Sequence, residues 1–170
     1  LAGYALHADP DRGLDHGAWA VLRHFYPEAD VPVVQLGLNV LQPAAWHWAL
    51  AEKLRPLRDE GVLIMGSGNI VHNLRELDFA RVDEPFAYDW AEAFRDRINR
   101  AILADDRDTL IHYLALDDAR RAVPAPFEHY LPLLYVLAQR DSGEPVRLFN
   151  DEIIGGSLSM TAVQVGARSA

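Results

Sequence analysis

The fold expected from this chain is decided by the stretch Val62-Leu63-Ile64-Met65-Gly66-Ser67-Gly68-Asn69. Four consecutive apolar residues followed by turn-forming glycines are typical of a buried strand that ends in a loop. The apolar run 31–38 is a second candidate strand, and Leu50, Leu54 and Leu57 recur at helical spacing between the two. Strand, helix and strand in this order predict a βαβ unit. We therefore expect an α/β fold with a mostly parallel central sheet flanked by helices.

Helix and strand patterns continue on both sides of this unit. A helix is expected over 17–25, and a longer one between Pro43 and Gly61, with a kink at Pro56. Over 89–103 apolar residues recur along one stripe, which predicts an amphipathic helix. Shorter helices are expected over 109–116 and 128–138, and strands over 146–149 and 158–165.

The composition excludes several classes of function. The 170 residues include 25 acidic and 16 basic side chains, and the net charge of −9 disfavours binding to nucleic acid or to anionic membranes. The chain has no cysteine, so disulfides, thiolate chemistry and cysteine-based metal sites are excluded. Any metal must therefore be held by histidine and carboxylate side chains.

The length is sufficient for one domain with a hydrophobic core, and residues 1–170 are expected to form a single domain. No apolar run approaches the length of a membrane span. The first residues, Leu1-Ala2-Gly3-Tyr4, have neither the basic nor the apolar region of a signal peptide. We therefore expect a cytoplasmic protein without a membrane-spanning segment.

Three histidines stand in unusual local settings, and imidazole is the side chain best suited to both metal ligation and proton transfer near neutral pH. His72 follows the predicted strand 62–65 through a glycine-rich turn. Ligands of parallel α/β sheets bind beyond the carboxyl ends of the strands, which favours a functional role for His72. The alternative is a structural turn in which His72 only caps a neighbouring group.

The other two histidines also allow a functional and a structural interpretation. His16 lies beside Asp15 at a predicted helix start, where Asp15 could cap the helix and His16 could be an exposed loop residue. His129 follows Glu128, and a carboxylate beside an imidazole is a common metal-binding or acid–base pair. The structural alternative is that Glu128 compensates the helix N-terminus while His129 is exposed.

The remaining histidines and the serines in glycine-rich settings are interpreted as structural. His24 and His47 lie among aromatic residues of predicted helices, so we expect them to be partly buried packing residues. Ser67 stands in Gly-Ser-Gly and lacks the Gly-x-Ser-x-Gly pattern of a hydrolase nucleophile, so a hydrolase triad is rejected. His7, His112 and Ser157 are likewise given no catalytic role.

Several segments of the chain occur in the order in which one known family has them. They are Leu14–Trp19 with its continuation Tyr26–Leu36, Gln42–His47, Arg58–Gly61, Ser67–Arg75, Glu128–Tyr135 and Gly156–Met160. On these segments the chain resembles the class III extradiol ring-cleavage dioxygenases, in the branch that includes the 4,5-DOPA dioxygenases. The resemblance extends over almost the whole chain.

This resemblance implies an enzyme that opens a catechol, such as 4,5-DOPA, beside its two hydroxyls with O₂ and a non-haem divalent metal. Fe(II) is the cofactor expected for activity, and some family members carry Zn(II) as purified. By motif, His16 matches the acid–base histidine, and His72 matches an active-site histidine that is close to the metal or bound to it. His129 matches a metal ligand, with Glu128 as the competing ligand in that segment.

The chain departs from the family pattern in two respects. Phe127 separates Pro126 from the Glu-His pair, whereas proline usually precedes that pair directly in the family. Family members also have an upstream part in which a Gly-His-Gly turn and a second histidine bind the metal, and neither motif occurs here. The resemblance therefore implies the C-terminal portion of the catalytic domain, without the N-terminal part of the family fold. We expect it to pair with an upstream segment, or a second chain, that supplies further histidine ligands.

Two other functions stay open beside the dioxygenase. One is a non-catalytic half-fold that binds metal or a partner but lacks the upstream ligands. The other, less favoured, is a zinc-dependent hydrolase, because histidine and carboxylate clusters also serve that chemistry. The dioxygenase hypothesis requires that the imidazoles of His16, His72 and His129 lie around one cavity.

Overall fold

The computed structural model describes residues 3, 4 and 6–166, which form short helices and two small sheets. The α-helices are α1 (His16–Phe25), α2 (Ala44–Glu52), α3 (Asp89–Ala104), α4 (Arg107–Ile111), α5 (Ala119–Ala122) and α6 (Leu131–Leu137). Single 3₁₀ turns cover Arg55–Arg58, Phe79–Arg81 and Tyr113–Ala115. The strands are β1 (Val146–Phe149), β2 (Ile153–Ile154), β3 (Leu158–Ser159) and β4 (Ala162–Val165).

One face of α3 supplies much of the hydrophobic core. Phe94, Ile98 and Ile102 recur every fourth residue, and all three are buried. The same cluster includes buried leucines of α2, α4 and α6. Burial of such a stripe contributes more to helix stability in water than intrinsic propensity does. The amphipathic helix predicted over 89–103 is confirmed, and it ends at Asp105, which adopts a left-handed conformation.

The parallel central sheet expected from the sequence is not present among the described residues. Segments 31–38 and 62–65 belong to no strand, and their side chains are largely exposed, with Val34 at 95 % and Leu63 at 65 %. An apolar run forms a strand only where a second strand pairs with its backbone N–H and C=O groups. No such strand lies beside either segment within the described part of the chain. The prediction of two buried parallel strands was wrong for that reason.

Both observed sheets are antiparallel pairs from the C-terminal part of the chain, in which β1 pairs with β4 and β2 pairs with β3. The strand predicted over 146–149 is confirmed, whereas the one predicted over 158–165 is divided between β3 and β4. An isolated bridge joins His72 to Leu158 of β3, so this sheet reaches a candidate site residue. The register places Val146 opposite Val165 and Ile153 opposite Ser159.

Prolines shorten two of the predicted helices. The helix expected between Pro43 and Gly61 is not merely kinked: α2 ends four residues before Pro56, which lies in a separate 3₁₀ turn. Proline has no N–H to donate to the carbonyl four residues earlier, so the α-helix cannot continue through it. The helix expected over 128–138 begins only at Leu131, with Pro132 in its first turn.

The helix expected over 109–116 is divided between α4 and a 3₁₀ turn.

Three short elements were not predicted, namely α5, β2 and the 3₁₀ turn Phe79–Arg81. None of them exceeds four residues, so their sequences contain no periodicity that could be detected.

In the described part of the chain, no helix combines the length and the apolar character that crossing a membrane requires.

Candidate active site

Two of the three candidate site histidines, His72 and His129, are in direct contact. The imidazoles of His72 and His129 stack face to face, with ring centroids 3.4 Å apart and planes 12° from parallel. Buried Ile70 and Val71 precede His72, and the His72 N–H donates to the Ala122 carbonyl at 2.8 Å. Together with the bridge to β3, these contacts hold His72 by its backbone and leave its ring directed to His129.

The glycines before His72 bring that segment against the backbone of the His129 loop. The Asn69 N–H donates to the His129 carbonyl at 2.8 Å. A Cβ on Gly66 would lie 2.6 Å from the Pro132 carbonyl oxygen, and a Cβ on Gly68 would overlap the His129 carbonyl oxygen. Only glycine fits such a close backbone approach. The Gly-Ser-Gly stretch is therefore the structural reason why two histidines from distant parts of the sequence meet.

His16 lies at the N-terminus of α1, at the same side of the molecule. Asp15 is the N-cap of α1, as the structural alternative proposed, and its side chain accepts a hydrogen bond from the Ala18 N–H at 3.0 Å. A Cβ on Gly17 would be 3.6 Å from Ser67 Oγ, so the first turn of α1 approaches the glycine-rich segment. His16 is exposed and does not line the cavity beside His72 and His129, and its charge is a minor cause of the lowered pKa of His129.

The surroundings favour neutral imidazoles at His72 and His129. Burial lowers the pKa of His72, and the neighbouring His129 lowers it further, whereas Glu128 acts in the opposite direction. Burial also lowers the pKa of His129, where Glu128 again opposes the effect. Both rings consequently keep a free nitrogen lone pair at neutral pH, as a general base or a metal ligand requires.

A cavity of about 150 Å³ opens beside the stacked pair. This volume is comparable to that of cavities that hold benzene in other proteins. Its wall combines the imidazoles and a carboxylate with apolar groups and one guanidinium. The lining residues are His72, Asn73, Leu74, Arg75, Val123, Pro124, Ala125, Glu128 and His129.

Asn73 and Arg75 were not singled out as site residues by the sequence reasoning, although both stand in the segment that carries the resemblance. Buried Asn73 donates through Nδ2 to the Arg121 carbonyl at 2.9 Å and accepts from the Arg75 N–H at 3.1 Å. Ser157, also buried, donates its hydroxyl to the Asn73 carbonyl at 2.8 Å. These bonds hold the cavity wall, and the hydroxyl of Ser157 is engaged in structure.

The histidines assigned to packing differ from one another. His47 is fully buried, as expected for a core histidine, and its Nε2 donates to the Asn39 carbonyl while its Nδ1 accepts from the Tyr135 hydroxyl at 2.9 Å. His24 is exposed, so its expected partial burial was wrong. The reason is that α1 buries none of its residues.

The described residues do not by themselves form a metal site. Within this part of the chain no group of three histidine or carboxylate side chains is arranged to hold a metal ion. A ring nitrogen directs its lone pair in the plane of the imidazole. Two rings stacked 12° from parallel therefore cannot both aim at one ion between them. His72, His129 and Glu128 offer suitable donor atoms, but a bound metal would require further ligands, and binding by both imidazoles would also require a rotation of one ring.

Comparison with known proteins identifies relatives of this chain. The family model described as the catalytic LigB subunit of aromatic ring-opening dioxygenase matches residues 2–144. The 4,5-DOPA dioxygenase extradiol of Escherichia coli K12 is 43 % identical over 157 residues, which cover 91 % of this chain and 57 % of that protein. The protein of the same name from Beta vulgaris is 33 % identical over 160 residues, with the same two coverages. The chain thus spans a little over half the length of these curated relatives.

A solved structure shares the fold. The crystal structure of an uncharacterized protein from Escherichia coli K12 superimposes with a TM-score of 0.83 at 42 % identity, and the match covers 91 % of this chain and 64 % of that one. The sequence matches and the shared fold relate the chain to the aromatic ring-opening dioxygenases of the extradiol class. The chain belongs to the family of the catalytic LigB subunit. The resemblance stated from the sequence motifs is confirmed at this level.

Proposed function

We propose that this chain is the C-terminal portion of the catalytic domain of an extradiol dioxygenase that opens a catechol such as 4,5-DOPA with O₂. The observation that carries the proposal is the stacked pair of His72 and His129 at a cavity comparable in volume to those that hold benzene in other proteins. The names of the relatives from Escherichia coli and Beta vulgaris support the substrate class. A cytoplasmic location belongs to the same proposal, and cell fractionation would test it.

Residues of this chain would bind the catechol hydroxyls and accept their protons. Neutral His72 can accept a hydrogen bond or a proton from a hydroxyl within the cavity. His16, whose ring is exposed, is proposed as the acid–base residue. Arg75 on the cavity wall offers a guanidinium that suits the carboxylate of an amino-acid substrate such as DOPA.

The metal is proposed to be non-haem Fe(II), with Zn(II) as the alternative in purified protein. Such a metal, when bound, would supply open coordination positions for the substrates. His129 is the proposed ligand of this chain, with Glu128 as its competitor and His72 as a second candidate. Because the described residues do not complete a metal site, we propose that an upstream segment, or a second chain, supplies further histidines.

The non-catalytic half-fold remains the second candidate function, and one observation favours it. The apolar segments 31–38 and 62–65 are unpaired and exposed, as expected of a part that associates with another polypeptide. In that case the histidines would bind a metal or a partner without turnover. The zinc-dependent hydrolase is less supported, since the relatives from Escherichia coli and Beta vulgaris are named as dioxygenases.

Oxygen uptake separates the dioxygenase from both alternatives. The encoded protein, supplied with Fe(II) and a catechol, is expected to consume O₂ and to form a yellow ring-opened product. The same protein without metal, and the metal without protein, serve as controls. Metal binding without O₂ uptake would favour the half-fold, and hydrolysis of an ester in the presence of Zn(II) would favour the hydrolase.

The roles of the individual histidines are tested by two matched variants. His16→Ala is expected to abolish turnover, a loss of at least about 100-fold, while metal content stays the same. His129→Ala is expected to lower metal content as well as turnover. Equal loss of metal in both variants would mean that His16 has been misassigned. Stoichiometric iron or zinc in a sample whose intact mass corresponds to these 170 residues alone would contradict the need for further ligands.

A further inference from the structure

We propose that Gln35 is a positioning residue that determines, through Asp15, where His16 lies at the site. The inference rests on the proposed function only in giving His16 an acid–base role. The contact between Gln35 and Asp15 can be tested without measuring catalysis.

The side-chain amide of Gln35 makes two hydrogen bonds to Asp15. Its Nε2 donates to Asp15 Oδ2 at 2.6 Å, and its Oε1 accepts from the Asp15 backbone N–H at 3.0 Å. Asp15 is separated from Gln35 by 20 positions in the chain, so this is a tertiary contact. An amide that bonds a carboxylate and an N–H of the same residue fixes both its position and its orientation.

The contact with Gln35 is additional to helix capping. The capping bond uses the other carboxylate oxygen, Oδ1, which accepts from the Ala18 N–H. Oδ2 and the backbone N–H of Asp15 remain for Gln35. Within the described residues, the hydrogen bonds that join α1 or its N-cap to another segment both involve Gln35.

Hydrophobic packing does not provide an alternative anchor for α1. None of its residues is buried, and Trp19 and Phe25 on its surface are 48 % and 65 % exposed. A helix without buried side chains can shift at little cost in packing energy. The position of His16, the first residue of α1, therefore depends on the polar contact at its N-cap.

Gln35 is itself held by the core. Leu36 and Leu38, which follow it, pack against the hydrophobic cluster. The Asn39 carbonyl accepts a hydrogen bond from Nε2 of His47, a fully buried side chain that also bonds the Tyr135 hydroxyl. A chain of contacts thus runs from the core, through segment 35–39, to the residue beside His16.

A charge-exchange cycle tests the proposal on the full chain. Gln35→Glu places two carboxylates face to face and should release α1. Asp15→Asn keeps a capping oxygen but loses one of the two bonds to Gln35. The double variant Asp15→Asn/Gln35→Glu reverses the pair, so that the introduced amide and the backbone N–H at position 15 both donate to the introduced carboxylate at position 35. Gln164→Glu, at an exposed position of β4, is the control for the added negative charge.

Nuclear magnetic resonance of the unloaded protein provides the structural readout. In Gln35→Glu, we expect the Ala18 amide to exchange roughly tenfold faster and the His16 ring signals to move, and the double variant to restore both. The control should leave both unchanged, and the melting temperature should barely differ among the variants. Unchanged His16 signals in Gln35→Glu, or a double variant that restores nothing, would overturn the proposal.

Catalysis and ligand binding provide the second readout. In metal-loaded protein, Gln35→Glu should lower kcat roughly tenfold with little change in KM, because His16 is misplaced while the cavity is intact. The double variant should recover kcat, whereas a KM that rises with unchanged kcat would contradict the positioning role. If wild-type protein neither binds 4-nitrocatechol nor turns over a catechol, the proposed function fails, and the magnetic resonance result still decides whether Gln35 positions His16.

Discussion

Gly68 shows how one residue at the glycine-rich turn determines the geometry of the histidine pair. Its hydrogen atom faces the His129 carbonyl, and the next residue but one, Ile70, is buried. The chain around Gly68 is therefore packed on both sides, and a larger side chain at this position would displace the His129 carbonyl. The stacked rings depend on this close approach as much as on the imidazoles themselves.

Gly68→Ala should consequently destabilise the protein and separate the two rings. Added volume at a packed contact costs about 1–3 kcal/mol, and here it displaces the backbone of His129. Chemical denaturation measures the loss, and the ring signals of His72 and His129 report their separation. Gly37→Ala is the matched control, because a Cβ there meets no atom within 4 Å. Equal stability of the two variants would contradict the close approach described for Gly68.

His47 makes folding stability sensitive to acid. Burial lowers the pKa of His47 below its ordinary value, although its hydrogen bond to Asn39 acts in the opposite direction. The unfolded chain therefore binds a proton at higher pH than the folded one, and stability rises with pH across that interval. The stabilising contribution is complete above about pH 6.5, the ordinary pKa of histidine, and is lost as the pH falls through the lowered value.

His47→Gln should reduce this pH dependence. Glutamine can still bond within the same space but does not titrate, so one contribution to the slope disappears. The measurement is the free energy of unfolding in urea from neutral pH down to mildly acidic pH, in wild type and variant. His112→Gln serves as the control, because His112 is exposed. Equal slopes for wild type and His47→Gln would rule out a protonation linked to unfolding at this residue.

At the scale of elements, α5 and the cavity wall are joined by a bidentate ion pair. Arg121 of α5 donates through Nε and Nη2 to the Glu76 carboxylate, at distances from 2.5 to 3.1 Å, and its guanidinium lies 4.4 Å from the centre of the Trp90 ring. The hydrogen bond to Arg121 lowers the pKa of Glu76. This pair connects the segment after His72 to a helix that has only four residues.

Arg121→Lys should weaken that connection even though the charge is kept. Lysine cannot form the paired bonds of a planar guanidinium, and exposed pairs contribute little, so we expect a small loss of stability. Thermal denaturation would detect it, and amide exchange should accelerate at Asn73 and Arg75. The neighbouring Arg120→Lys is the control. A larger effect of Arg120→Lys than of Arg121→Lys would show that this ion pair does not hold the cavity wall.

At the scale of the whole molecule, the most consequential feature is an apolar surface on segments that have no strand partner within the described part of the chain. The exposed side chains along these segments are Val31, Val33, Val34, Val62, Leu63 and Met65. Unpaired backbone groups beside apolar side chains favour association with another polypeptide. This property fits the proposal that an upstream segment or a second chain completes the site.

The 170-residue chain alone should therefore self-associate at increasing concentration. Val34→Lys combined with Leu63→Lys is expected to raise the monomer fraction, because lysines on an exposed apolar edge oppose its pairing. Light scattering coupled to size exclusion measures the change, with Gln164→Lys as a control for added charge. A monomeric wild-type chain at high concentration, unchanged by the double substitution, would argue against an associating surface.

Features that depend on interactions between residues close in the chain could be predicted from the amino-acid sequence. Helix α3 follows from an apolar stripe at helical spacing, and the Asp15 cap of α1 follows from residue type and position. The order of the histidine-containing motifs was sufficient to identify the family, which the comparisons confirm. The choice of His16, His72 and His129 also came from their local settings, and their catalytic and metal-binding roles stay predictions.

Contacts between residues far apart in the chain could not be predicted from the sequence and are seen in the packed structure. Strand formation in segments 31–38 and 62–65 depends on partner strands, so their apolar patterns did not establish it. The stacking of His72 on His129 and the contact of Gln35 with Asp15 likewise join residues far apart in the chain. Local sequence specifies propensity and caps, whereas pairing and stacking require the packed core to bring separate segments together.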